Sequence, residues 1–382
     1  MRDRISLGAS VKAGRPLRVL FLPRYARVAA SSRCRFYNYF PFLERAGLQC
    51  DASPLFDERY WEKKNRTGRT PPVDVLRAYA RRLVVLERVR RYDLVVVHCE
   101  ALPYLPAFWE RALVRLGVPY VLDFDDAIFH NYDLHPLRAV RRLLGDKFRL
   151  ILEGAAAVIA GNRYLADYAS AVARRVEVLP TVVDLEVYRP VGSSPNRGAV
   201  VVGWIGSPST APYLAGIAEA LADFQRRSGA RVVLVGSGPV QLPGVDLEVR
   251  AWSEATEVSD IGDFNIGIMP LPDTAWACGK SGFKLIQYMA RGIPVVASPV
   301  GANRDIVESG VDGFLAAGKE AWVEALDRLA QDAVLRARLG EAGRRKVERH
   351  YSLQVTAPRL EGILRDAASP SSPAGKARRV RN

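Results

Sequence analysis

In the stretch CGKSGFKLIQYMARGIPVVAS (278–298), Lys280 and Lys284 stand four residues apart where a helix is expected to open. A helix N-terminus already presents unpaired N–H groups and the positive end of the dipole, so added cations cost stability unless an anion compensates. A diphosphate is the economical anion, and Gln287, one turn on, has an amide able to hydrogen-bond a sugar hydroxyl. In WIGSPSTAPYL (204–214), Gly206 ends a strand, and Ser207, Ser209 and Thr210 supply hydroxyls and N–H groups just before a helix. Ordinary N-capping uses the same residues, but strand, glycine, hydroxyls and helix in that order also make a phosphate cradle. GSGP (236–239) is a weaker glycine turn of the same kind.

In PYVLDFDDAIFH (119–130), Asp123, Asp125 and Asp126 crowd the end of a strand. One of them would serve an Asx-turn or a cap. Three together suit a bound cation, a base or hydrogen bonds to sugar hydroxyls, and mutual repulsion should raise at least one pKa. Arg33 and Arg35 in ASSRCRF (30–36) follow the first strand and are placed to face a cleft.

The elements that must carry these residues alternate along the whole chain. Strand-like runs fall at 17–23, 93–98, 119–124, 156–162 and 176–181, then at 200–207, 231–238, 246–252, 264–271 and 294–298. Short continuous Val/Ile/Leu runs are the mark of strands buried on both faces, as in parallel sheets. The expected class is α/β, with two Rossmann-like domains facing a cleft and ligands bound beyond the carboxyl ends of the strands. The expected boundaries are a loose N-terminal tail (1–16), an N-terminal domain (17–187), a Pro/Gly/Ser-rich linker (188–199) and a C-terminal domain (200–350). A helix at 351–367 then packs back on the N-terminal domain, and a disordered basic tail (368–382) follows.

The chain has 382 residues, is 49% hydrophobic and carries a formal net charge of +14. That charge favours anionic partners: a nucleotide, an anionic membrane surface or an anionic acceptor. On helical spacing Arg77, Arg81 and Arg88 share one face, and Arg138, Arg142 and Arg149 another; solvated faces and membrane-facing ones read alike. No recognisable nucleic-acid module accompanies the charge, so no nucleic-acid partner is expected. No apolar run approaches ~18 residues and the N-terminus lacks a signal-peptide core, so the expectation is a cytoplasmic protein, at most peripheral to the inner membrane face. Cys34, Cys50, Cys99 and Cys278, and His98, His130, His135 and His350, show no metal-ligand spacing, so no metal and no cofactor are expected. The loop after the first strand has no GxGxxG, and neither a P-loop nor GxSxG occurs.

The run WIGSPSTAPYL, AWSEATE and DFNIGIMPLPDTAWACGKSGFKLIQYMARGIPVVASPVGANRDIVESGVDGFLA resembles the C-terminal domain of family 4 glycosyltransferases of the GT-B fold. SSRCRFYNYFPFLERAG, VVVHCEALPYLP and YVLDFDDAIF resemble, more loosely, that family's acceptor-side domain. The resemblance implies transfer of a sugar from a nucleotide diphosphate sugar to a hydroxyl with retention and without a metal, as in envelope polysaccharide or glycolipid assembly. It places Gly206, Ser207, Ser209 and Thr210 along the diphosphate beside Lys280 and Lys284, Trp252 at the base and Gln287 at the ribose. Asp125 falls where many relatives keep a histidine, near the donor sugar and the acceptor, with Arg33, Arg35 and Asp126 on the acceptor side. Many relatives carry two glutamates eight positions apart; Gly279 and Gln287 occupy those places here, leaving Lys280 or Asp273 to serve the donor sugar. The departures keep two rivals in view: a non-catalytic nucleotide- or glycan-binding scaffold, and a sugar-nucleotide epimerase of the same fold.

Overall fold

A computed structural model describes residues 15–68, 70–190 and 198–369. Most of the expected tails and the middle of the expected linker lie outside the described residues. Among the described residues, twelve strands form two six-stranded parallel sheets. The first holds β1 (Leu17–Leu22), β2 (Leu48–Ala52), β3 (Leu94–His98), β4 (Tyr120–Phe124), β5 (Ala157–Ala160) and β6 (Val176–Val178), in the order β2-β1-β3-β4-β5-β6. The second holds β7 (Val201–Ile205), β8 (Arg231–Val235), β9 (Leu247–Arg250), β10 (Ile266–Met269), β11 (Val295–Ala297) and β12 (Gly313–Leu315), in the order β12-β11-β10-β7-β8-β9.

Central strands β3, β4, β5 and β7 are buried throughout, as their unbroken apolar runs require. Sequence reading missed β2 and β12, both edge strands; LQCDA is mostly exposed or half-buried and GFL is only three residues long. In each sheet the strand order reverses once, between β1 and β3 and between β7 and β10, and crevices open beyond the carboxyl ends at those points.

The helix Leu353–Ala368 buries Leu353, Ala357, Leu360, Ile363 and Leu364 against Val19, Phe21, Leu94, Val121 and Ile159 of the first sheet. Tyr39 Oη and Thr356 Oγ1 add a buried hydrogen bond 2.9 Å long. The last helix among the described residues thus packs onto the first domain. Helical spacing placed Arg149 on a face with Arg138 and Arg142, but the chain breaks there into helices Arg138–Leu144 and Lys147–Gly154. Among the described residues no helix is long and apolar enough to cross a membrane.

Candidate active site

The helix Phe283–Ala290 turns Leu285, Ile286 and Met289 inward, which leaves Lys284 of its first turn at the crevice between β7 and β10. Strand and helix are tied one residue before Gly206, where Ile205 N–H donates to Tyr288 Oη at 2.9 Å. A Cβ on Gly206 would lie 2.8 Å from Lys284 Cε and 2.4 Å from the Trp204 ring, so only glycine lets strand and lysine approach this closely. Lys284 Nζ sits 5.3 Å from the centroid of Trp204 and has no hydrogen bond or ion pair among the described residues. Burial, and then the like charge of Lys280, push its pKa down to about 8 against the pull of Asp126.

Lys280 is compensated by the protein itself. Its Nζ donates to Asp126 Oδ1 at 2.9 Å, across the cleft, and lies 5.3 Å from the Trp276 centroid. Burial works against its charge, but Asp126 prevails and holds its pKa above the usual lysine value. The expectation that both lysines await a ligand anion is therefore corrected for Lys280: a carboxylate from the facing domain already meets it.

The three aspartates at the end of β4 each have a separate partner. Asp123 takes a bidentate contact from Arg35, 2.9 Å to Nε and 2.5 Å to Nη2, with both side chains buried. Asp126 faces Lys280. Asp125 Oδ1 lies 3.5 Å from His98 Nε2, long for a hydrogen bond but within ion-pair range. His98 Nδ1 accepts from Arg24 N–H at 3.3 Å, while its buried Nε2 has no hydrogen-bond partner among the described residues. Burial pushes the Asp125 carboxyl up, yet His98, Arg35 and Lys280 together bring its pKa down to about 2. Asp123 and Asp126 are both raised, and burial rather than mutual repulsion is the leading cause.

Arg33 and Arg35 belong to a single π-helical turn, Arg33–Tyr37, whose wider winding buries Arg33, Cys34, Arg35 and Phe36 in succession. Arg35 does not face the cleft. It is 3% exposed, locked onto Asp123 and the Leu179 carbonyl. Arg33 does reach the facing domain, 3.3 Å from Glu254 and 3.3 Å from Glu257, and stacks 5.3 Å from the Trp252 centroid. Glu257 also accepts from Trp252 Nε1 at 2.7 Å and from the Tyr188 hydroxyl, which in turn accepts from Gln287 Nε2 at 2.8 Å. Gln287 and Trp252 are thus joined through Tyr188 and Glu257 into one chain that crosses the domain boundary. Glu257 and Tyr188 escaped sequence reading; the first is one acid among several, and the second lay in a segment read as linker.

Segment 278–280 touches the N-terminal domain directly. Asn162, at the end of β5, caps its own helix by accepting from Leu165 N–H and donates Nδ2 to the carbonyls of Cys278 (3.2 Å) and Lys280 (3.0 Å). A Cβ on Gly279 would fall 2.5 Å from Ala127 Cβ and 2.6 Å from its backbone nitrogen. At Gly279, where the family resemblance implies a glutamate, this chain instead packs its backbone against Ala127 of the facing domain.

Ser207, Ser209 and Thr210 form a self-bonded turn, with Ser207 Oγ 2.8 Å from Ser209 Oγ and Thr210 donating to the Ser207 carbonyl. The helical segment that follows, Ala211–Ile217, is a 3₁₀ helix without a side-chain cap. Asp273 borders a cavity of about 470 Å³ at the ends of β7, β10, β11 and β12, with Tyr213, Ser298 and Arg304 among its other polar walls. His98, Cys99 and Asp125 bring three ligand atoms within 4.8 Å of one another, a cluster that spacing alone did not show. Burial pushes the Cys99 thiol well up, while Asp125 stays low.

Two parallel α/β domains that meet across a cleft at their strand ends make this a GT-B protein. Solved structures share the fold: a glycosyltransferase from Rickettsia africae (TM-score 0.69, 14% identity, 94% of this chain and 100% of that one) and Anabaena HepE in complex with UDP (TM-score 0.59, 15% identity, 91% and 100%). The model for "Glycosyltransferase Family 4" matches residues 49–187, and that for "Glycosyl transferases group 1" matches 199–332. The chain belongs to glycosyltransferase family 4. A D-inositol 3-phosphate glycosyltransferase of Frankia alni is 31% identical over 273 residues, which cover 62% of this chain and 64% of that protein. The matched part thus spans a little under two thirds of that relative's length.

Proposed function

We propose that this protein transfers a glycosyl group from a nucleoside diphosphate sugar to a hydroxyl acceptor, with retention and without a metal. The observation that carries the reading is Lys284, an uncompensated cation in the first turn of a helix, against Gly206, at the crevice between β7 and β10. Departure of the nucleotide builds negative charge on the diphosphate. Lys284, the helix N-terminus and the 207–210 turn offset that charge, a role worth roughly 3–4 kcal/mol per well-placed donor in other enzymes. In a front-face displacement the departing phosphate oxygen takes the acceptor's proton as the new glycosidic bond forms, so no strong protein base is needed. Asp125, held ionised by His98, Arg35 and Lys280, then orients the sugar or the acceptor hydroxyl. UDP, bound by the HepE structure, is the first nucleotide to try.

The acceptor we infer is lipid-linked or anionic, presented at the inner membrane face during envelope polysaccharide or glycolipid assembly. Support comes from the N-terminal domain, where Leu76, Leu83, Leu137 and Leu143 are exposed among Arg77, Arg81, Arg138 and Arg142. Apolar side chains interspersed with arginine suit an anionic bilayer surface.

Binding of nucleoside diphosphates and nucleotide sugars in EDTA tests the donor site, and the anomeric configuration of the product tests retention. Lys284→Ala should lose donor affinity and turnover together, because the contact tightens as charge develops. Full activity in that variant would sink the assignment. A second reading, a scaffold that binds donor without turnover, is favoured by Gly279 and Gln287 being engaged in contacts within the chain. Donor binding with neither transfer nor hydrolysis would select it.

A further inference from the structure

Asn162 and Ser281 also line a second cavity, of about 400 Å³, which does not include Lys280 or Lys284. Both domains contribute walls, and so does the segment that crosses back between them. Its charged and titratable members are Arg163, Arg349, Arg359, His350 and Tyr351, against a single carboxylate, Asp305. The pairing within it is sparse. Arg163 Nε is 4.0 Å from Asp305 Oδ1, with a side chain 80% exposed. Arg359 spends one donor on the Val178 carbonyl at 3.0 Å. Arg349 has no hydrogen bond or ion pair among the described residues. Arg349 and His350 end the helix Ala333–His350, where the dipole favours cations, which accounts for those two but not for Arg163 or Arg359.

We propose that this interdomain cavity is an anion site separate from the donor site, built for a phosphate monoester. Three exposed guanidinium groups border one concavity with a single carboxylate, and a dianion with several acceptor oxygens can meet them through charge-assisted, bidentate contacts. A volume of about 400 Å³ suits a small phosphorylated molecule or a lipid headgroup. Occupancy also bears on the donor site. The ligand would join walls from both domains, and Asn162, on its rim, holds the Cys278 and Lys280 carbonyls. The bound anion therefore favours the arrangement in which segment 278–280 is docked.

The test uses the full-length protein and two probes: glycerol 3-phosphate followed by calorimetry, and phosphatidylcholine vesicles with and without phosphatidic acid followed by co-sedimentation. Lys280→Ala/Lys284→Ala serves as the background in which the donor site is disabled. The expected result is that this double variant still binds glycerol 3-phosphate, and that Arg349→Ala and Arg359→Ala each weaken binding by about tenfold, the loss of one charge-assisted contact. Arg163→Ala checks the same loss from the N-terminal domain's side, and all three arginines are exposed, so none of these substitutions disturbs packing. A response to phosphatidic acid that the arginine variants abolish, with none to glycerol 3-phosphate, identifies the source as a lipid headgroup. Binding that disappears with the two lysines and survives loss of the arginines overturns the proposal, as does wild-type protein that responds to neither probe.

Discussion

In the proposed donor site Lys284 is the central residue, and its lowered pKa gives that proposal a pH signature. A diphosphate needs the lysine charged, and the free protein holds it at about 8. Below that value the ammonium is present and donor affinity should be flat. Above it, binding must take up a proton, and affinity should fall by up to tenfold per pH unit. Calorimetric Kd values for UDP from pH 6.5 to 9.5 check this, and Lys284→Arg, charged throughout, should flatten the curve. The lysine pair at a helix start was legible from sequence because dipole logic is local. That Lys280 answers to Asp126 was not, since the two lie 154 positions apart.

At the scale of elements, the decisive contact is the docking of segment 278–280 onto the ends of β4 and β5. Introducing at Gly279 the glutamate that the family resemblance implies should damage this protein rather than improve it. Gly279→Glu places a side chain where Ala127 Cβ and backbone nitrogen stand, so the domains must part and Asn162 must release both carbonyls. A displacement of about 1 Å at reacting groups can cost about 10²-fold in rate. We expect a loss of that order in kcat, with Gly279→Ala falling between, measured by steady-state transfer assays. The π-helical turn Arg33–Tyr37 shows the limit of reading by element. Regular spacing sends two arginines two residues apart to different faces, whereas the wider turn buries both, one on Asp123 and one toward Glu257.

For the molecule as a whole, the chain closes on itself: helix Leu353–Ala368 leaves the second domain and roofs the first sheet. Leu364 is fully buried there, and Leu364→Ala should cost about 2–5 kcal/mol as transfer and cavity terms add. Urea unfolding followed by tryptophan emission will show whether the loss falls on the N-terminal domain, which holds Trp109 in its core. A loss confined to the second domain would contradict this packing. The helix itself was readable from apolar periodicity; that it crosses to the first sheet is a matter of which apolar face lacked a partner.

The sequence by itself determined what depends on short-range pattern. Alternating apolar strand runs and helices specified two parallel α/β units, strand-end positions supplied the candidate site residues, and the 278–298 and 204–214 segments carried the family resemblance. Only the tertiary structure decided who compensates whom. Lys280 finds Asp126, Asp125 finds His98, Arg35 is spent on Asp123, and Gln287 reaches Arg33 through Tyr188 and Glu257. These pairings join residues tens to hundreds of positions apart. The physical reason is that a buried charge must be met by whatever group the fold brings within a few ångströms, and no local pattern in the chain encodes that distance.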